Sequence, residues 1–227
     1  VWIVKNSIAI LLAVVFSLLT LVTFPFNFKG WVSYYILKVW SNLTLFILGV
    51  KVSVFGRENI PRIGGNVYIA NHSSYLDILV LTAKVPDKVK MVYKSEMNKI
   101  PLLSWAMRAA GYVPIERTNL KSSLRSLERA AVKVKNGISM IIYPEGTRTR
   151  TGKIGEFKRG MFLLAEKAGT DIIPLSVTNT AALMPISSMK VKPGIVNIVI
   201  GKPMKYSKDK EFSVRAREQV IKNLKPI

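Results

Sequence analysis

Residues 67–84 read VYIANHSSYLDILVLTAK. The stretch opens on four residues with strand character, VYIA. It then passes through the polar turn Asn71-His72-Ser73-Ser74 and continues as a helical pattern over 74–84. A buried-looking strand feeding a helix through a polar turn is the repeating unit of a layered α/β domain, and it is where such folds place active sites. The same alternation runs through the rest of the chain. Strand-like runs are expected at Lys51–Phe55, Val67–Ala70, Val89–Tyr93, Tyr112–Ile115, Ser139–Tyr143, Asp171–Val177 and Ile195–Ile200. Helices are expected at 74–84, 101–110, 120–136, 157–168 and about 210–224, with Gly111, Gly137 and Gly169 at their ends. The expected fold is α/β, with a mostly parallel central sheet flanked by helices. Pro174 would interrupt a central strand's hydrogen bonding and implies a sheet edge or a bulge.

The first fifty residues differ in kind. No charge lies between Lys5 and Lys29, and no acidic residue precedes Glu58. Residues 7–26 (SIAILLAVVFSLLTLVTFPF) are long enough to cross a hydrocarbon core at about 1.5 Å per residue. Pro25 and Gly30 bracket a break. Residues 31–50 form a second apolar stretch in which Trp31, Tyr34, Tyr35 and Trp40 flank Lys38, a pattern suited to the headgroup boundary. Residues 1–50 therefore read as a membrane-embedded two-helix hairpin that spans the bilayer or dips into one leaflet. Residues 51–227 read as the α/β domain. A cleaved secretory signal is the weaker alternative, because no small-residue cleavage site follows. The chain opens on Val1, so a few native residues are expected to precede it.

Composition narrows the chemistry. The 227 residues hold 34 lysines and arginines against 13 acidic residues, for a net charge of +21. A surface of this sign attracts anionic headgroups, nucleic acid or an acidic carrier protein. The apolar amino terminus beside the basic body favours a membrane surface. With no cysteine and a single histidine, thiol nucleophiles, disulfides and multi-histidine metal sites are excluded.

Two constellations could carry chemistry. In Asn71-His72-Ser73-Ser74-Tyr75-Leu76-Asp77, Asp77 has a plain role as a helix-capping carboxylate three residues after Ser74. If His72 precedes the first helical turn, its ring can fold back on Asp77, and the carboxylate would then hold the imidazole tautomer. In Tyr143-Pro144-Glu145-Gly146-Thr147-Arg148, a turn follows the apolar strand SMIIY. Its glycine permits close backbone approach, and Arg148 offers a planar fork for phosphate. The plain alternative is a turn in which Glu145 and Arg148 pair with each other or with neighbours. Lys94 and Arg117 lie just past strand ends. Arg159 and Gly160, at the start of the next helix, have the character of packing residues. Ser73 or Ser74 beside His72 would suit a serine hydrolase, but no G-x-S-x-G elbow exists.

Together these pieces resemble the glycerolipid acyltransferase family, in its bacterial 1-acyl-sn-glycerol-3-phosphate (lysophosphatidic acid) acyltransferase branch. Four blocks occur in order: Asn71, His72 and Asp77 as N-H-x4-D; Gly111 through Arg117; Tyr143 through Arg148 as aromatic-P-E-G-T-R; and Ile173-Pro174-Leu175. The resemblance implies that His72 is the general base and Asp77 its partner. It assigns Arg148 and Arg117, with the turn residues Glu145, Gly146 and Thr147, to the acceptor's phosphate; Lys94 joins them by position. It implies a fatty acyl thioester of acyl carrier protein or coenzyme A as donor, a membrane lipid as acceptor and phosphatidic acid as product. It implies no cofactor, no metal and no nucleic acid. It also implies an anionic membrane surface at the cytoplasmic face of a bacterial inner membrane. First acylation of glycerol-3-phosphate is the nearest rival, and a non-catalytic module binding anionic lipid is a more distant one.

Overall fold

Seven strands line up in one sheet because their sequences suit different depths of burial. The computed structural model describes residues 2–27, 30–61, 64–149 and 153–225. Strands β1 (Val50–Phe55), β2 (Val67–Ala70), β3 (Val89–Lys94), β4 (Val113–Ile115), β5 (Ser139–Ile142), β6 (Ile172–Thr178) and β7 (Gly194–Ile200) run in the order β1-β7-β6-β2-β5-β3-β4. All neighbouring pairs are parallel except β6 with β7. The central strands β2 and β5 are buried at every position, which is why they read without polar–apolar alternation, Ser139 at the start of β5 being the one hydroxyl of its strand.

Helices cover both faces. They are α1 (Trp2–Val22), α2 (Trp31–Leu48), α3 (Leu76–Lys84), α4 (Pro101–Ala109), α5 (Leu120–Lys135), α6 (Leu163–Ala168), α7 (Thr180–Leu183) and α8 (Phe212–Lys222). Successive side chains of a strand point to opposite faces. Tyr68, Ala70 and Ile141 meet Leu45 and Leu48 of α2 and Leu76, Val80 and Leu81 of α3. Val67, Ile69 and Met140 meet Leu127, Ala130 and Val134 of α5, with Phe212 and Val220 of α8 behind them.

The amino-terminal helices form a hairpin, but its two arms are unlike. The break holds a 3-10 turn at Phe24–Phe26, and Gly30 stands at φ +73 before α2; residues 28–29 lie outside the described ones. Among the described residues α1 is the one helix long and apolar enough to cross a membrane. It exposes Leu11, Leu18 and Val22. By contrast, α2 buries Ser33, Ser41 and Thr44 as well as Leu45 and Leu48. Ser33 Oγ accepts from Lys90 Nζ at 2.9 Å, and Asn42 donates to the Ala83 carbonyl of α3 at 3.4 Å, so α2 is packed into the body. Gly49, at φ +75, ends α2 by donating to the Leu45 and Phe46 carbonyls and turns the chain into β1.

Pro174 is in an interior strand and not at an edge, with β2 on one side and β7 on the other. The bulge alternative fits. Leu175 pairs with Ile200 while Ile172 bridges Met204, leaving one extra residue on the β7 side. The proline accepts from Gly201 N–H at 2.8 Å, and its missing donor faces this irregularity, where no ladder bond is interrupted.

Candidate active site

Five strands present their carboxyl ends along one edge, since β6, β2, β5, β3 and β4 are mutually parallel. The register pairs Ile69 with Ile142, so the residues following β2 and β5 emerge side by side. That juxtaposition brings the NHSSYLD turn against the YPEGTR turn, about seventy residues later in the chain. Strand order, which the sequence does not display, is responsible for it.

Asn71 fixes the start of the turn. Its side chain donates to Val177 O and accepts from Val177 N, both at 2.8 Å, and so extends the β2–β6 ladder by one amide. His72 follows in a non-helical segment, because α3 begins only at Leu76. The ring folds back, and Nδ1 lies 2.8 Å from Asp77 Oδ2. The same oxygen accepts the Ser73 and Ser74 N–H groups at 2.7 and 2.9 Å. Asp77 is therefore both the capping carboxylate and the histidine's partner; the two roles share one atom. Its other oxygen accepts from the Thr180 hydroxyl. An ionised carboxylate can only accept, so Nδ1 carries the hydrogen and Nε2 presents a lone pair. Nε2 has no hydrogen-bond partner among the described residues.

The ring is held on a second side. Tyr143 stacks on His72 with centroids 4.0 Å apart and planes 18° apart. Burial pushes the Tyr143 phenol well above its ordinary value, reinforced by Asp77 and Tyr112, so it serves as a neutral platform. The backbone of His72 is clamped too. Its N–H donates to Glu145 Oε1 at 2.7 Å, and its carbonyl accepts from Thr149 N–H at 2.9 Å.

The YPEGTR residues divide into braces and presented groups. Glu145 is buried and uses both oxygens on backbone donors, His72 and, at 2.8 Å, Gly155. Burial raises its pKa, and those two N–H bonds oppose the rise. An anion engaged in this way is a strut between loops. Both oxygens of Glu145, which the sequence reading grouped with the phosphate contacts, are thus placed on loop backbone donors. Gly146 needs its glycine: φ is +72, and a Cβ there would meet the Lys158 side chain at 3.2 Å. The Gly146 carbonyl accepts from Arg117 Nη1. Desolvation pulls the Arg117 guanidinium below its usual value, with Glu96 pulling it back. Arg148 does not pair with Glu145. Its guanidinium carbon is 3.7 Å from the Tyr75 ring centre, and its Nη1 is shielded from water without a hydrogen-bond partner among the described residues. An unmet donor of that kind is a natural contact for an anionic ligand. Thr147 is exposed. Lys94 is ion-paired with Glu96 at 3.0 Å, both exposed.

Four contributors take their roles from the fold and carry no sequence signal of them. Tyr143 and Tyr75 are visible as aromatic residues in the two turns, but their ring contacts depend on the fold. Thr180 follows Asn179, whose φ of +78 is the one positive value at a described non-glycine residue and turns the chain back toward Asp77. Lys158 reaches Gly146 from a loop with no motif of its own.

A model of the family described as Acyltransferase matches residues 51–178, more than half of the chain. A chloroplastic 1-acyl-sn-glycerol-3-phosphate acyltransferase of Arabidopsis thaliana is 32% identical over 193 residues, covering 84% of this chain and 54% of that protein. A 1-acyl-sn-glycerol-3-phosphate acyltransferase of Borreliella burgdorferi is 26% identical, covering 86% of this chain and 80% of its own. The chain spans about half the length of the plant and algal relatives it matches. Among solved structures, the 1-acyl-sn-glycerophosphate acyltransferase PlsC of Thermotoga maritima superposes with a TM-score of 0.71 at 27% identity, covering 94% of each chain. With the matched segment containing both turns, the His72–Asp77 pair, Tyr143, Glu145 and Arg148, the chain belongs to the Acyltransferase family.

Proposed function

We propose that the chain transfers a fatty acyl group from a thioester to the 2-hydroxyl of 1-acyl-sn-glycerol-3-phosphate, making phosphatidic acid. The observation that carries this reading is the imidazole with Nδ1 on Asp77 and Nε2 without a partner among the described residues, on the same strand edge as the Arg148 donor that those residues leave unmet. The names of the plant and bacterial relatives support the acceptor.

In the proposed reaction His72 Nε2 takes the proton of the glycerol hydroxyl while that oxygen bonds to the thioester carbonyl carbon. The tetrahedral adduct collapses with cleavage of the C–S bond, and the leaving thiolate takes the proton back from the imidazolium. Asp77 stabilises that transient cation. A thioester is already activated, so the step calls for no metal and no covalent enzyme intermediate. Holding the two substrates in register can contribute about 7–11 kcal/mol. Arg148, with Arg117 behind the turn, receives the phosphate and so selects which hydroxyl reaches His72.

An apolar cavity of about 180 Å³ lies between α1, α2, α3 and α4, lined by Phe16, Leu37, Trp40, Ile78 and Met107. We assign it to a hydrocarbon chain. The exposed apolar surface of α1 is the proposed membrane contact, with the basic body attracted to anionic headgroups. The donor is a thioester of coenzyme A or acyl carrier protein. The setting is the cytoplasmic face of a bacterial inner membrane.

The test uses the full chain in phosphatidylcholine vesicles with an acyl thioester and three acceptors: 1-acyl-sn-glycerol-3-phosphate, glycerol-3-phosphate and monoacylglycerol. Thiol release matched by phosphatidic acid, with the first acceptor strongly preferred, is expected. Equal use of monoacylglycerol would remove the phosphate site, and no transfer to any acceptor would overturn the reading.

A further inference from the structure

We propose that Tyr75 is a positioning residue for the acceptor: its ring is the platform that aims Arg148 at the phosphate. The inference rests on the reading of Arg148 as the phosphate contact.

Tyr75 has no role in the core. It is 44% exposed, whereas Leu76 and Asp77, which follow it, are fully buried. Its hydroxyl makes no hydrogen bond among the described residues. What its ring does meet is the Arg148 guanidinium, 3.7 Å from the ring centre. A planar cation stacked on an aromatic face keeps its N–H edge free for a ligand while one face is covered. The unmet Nη1 of Arg148 is on a head group held in this way.

Chain position makes the contact informative. Tyr75 lies three residues after His72, before α3 begins. The backbone that carries the base thus also carries the ring beneath the phosphate-binding arginine. Thr149, next to Arg148, returns the link through its N–H to the His72 carbonyl at 2.9 Å. The separation between base and guanidinium is therefore set within one closed loop of contacts. That separation decides which hydroxyl of the acceptor meets His72.

The experiment compares steady-state kinetics of the full chain in phosphatidylcholine vesicles with 1-acyl-sn-glycerol-3-phosphate. Tyr75→Leu should raise the acceptor KM about fivefold, with kcat and donor KM within about twofold of wild type. Tyr75→Phe should behave as wild type, since the ring and not the hydroxyl is used. In an Arg148→Met background, Tyr75→Leu should add nothing. A fivefold effect in both backgrounds would mean that the ring touches lipid directly and would overturn the proposal. So would Tyr75→Phe as impaired as Tyr75→Leu, or a loss confined to kcat. If Arg148→Met alone left the acceptor KM unchanged, the phosphate reading itself would fail, and that outcome is separate from the behaviour of Tyr75.

Discussion

Asp77→Asn is the substitution on which the geometry makes its sharpest demand. In serine proteases the corresponding change costs about 10^4-fold, because the amide inverts the imidazole tautomer. Here inversion is opposed. Asp77 Oδ2 faces three donors: His72 Nδ1 and the Ser73 and Ser74 N–H groups. An asparagine must put its oxygen there, and its NH2 then meets the Thr180 hydroxyl, which can accept. The tautomer is kept and only the charge is lost. At an effective dielectric constant near 20, unit charges about 4 Å apart interact by about 4 kcal/mol, and the amide dipole retains part of this. A remaining loss of about 2–3 kcal/mol lowers kcat/KM by about 30- to 150-fold. Acyl transfer to 1-acyl-sn-glycerol-3-phosphate, measured at saturating thioester, reads it directly. A loss as large as that of removing the imidazole would refute the tautomer argument. A loss below about threefold would refute the charge argument.

Two further outcomes follow from groups away from the reaction. Lys90 is 1% exposed with Ser33 Oγ at 2.9 Å as its hydrogen-bond partner, and burial, with Lys133 and Lys88 adding to it, pulls its pKa from 10.5 to about 7. Between those values the unfolded chain binds a proton that the folded chain does not, so stability rises with pH across that window. Lys90→Met should therefore stabilise the protein, and its advantage should shrink by about 2 kcal/mol between about pH 7 and about pH 9; a pH-independent difference in denaturant titrations would contradict this. Leu11 and Leu18 of α1 are 61% and 50% exposed. Replacing both with glutamate should weaken vesicle binding by about a hundredfold or more with the fold intact, and unchanged co-sedimentation at high salt would show that α1 is not the contact.

Much of the architecture is legible in the sequence because buried parallel strands are apolar runs bounded by glycine, proline and polar turns. All seven strands fall where that pattern puts them. The His72–Asp77 pairing is legible too, once His72 is taken to precede the helix. What is hidden depends on strand order. Nothing in the sequence says that β5 inserts between β2 and β3. Hence the bonds joining His72 to Glu145 and Thr149, and the stacking on Tyr143, cannot be read from it. Glu145 illustrates the ambiguity of a carboxylate in a turn, which reads equally as ligand contact or strut until its two oxygens are seen on backbone donors. The short α7 carries no periodicity, so Thr180 goes unnoticed. In α2 the aromatic residues around Lys38 resemble an interfacial helix, while Ser33, Ser41 and Thr44, which the fold buries, look merely polar.

The most direct test of the central claim is turnover by His72→Ala, assayed with 1-acyl-sn-glycerol-3-phosphate and an acyl thioester beside a binding measurement for the acceptor. Removal of the base should lower kcat by about 10^2- to 10^4-fold, more than Asp77→Asn does, with acceptor affinity retained because Arg148 is untouched. Near-normal turnover in the alanine variant would contradict it.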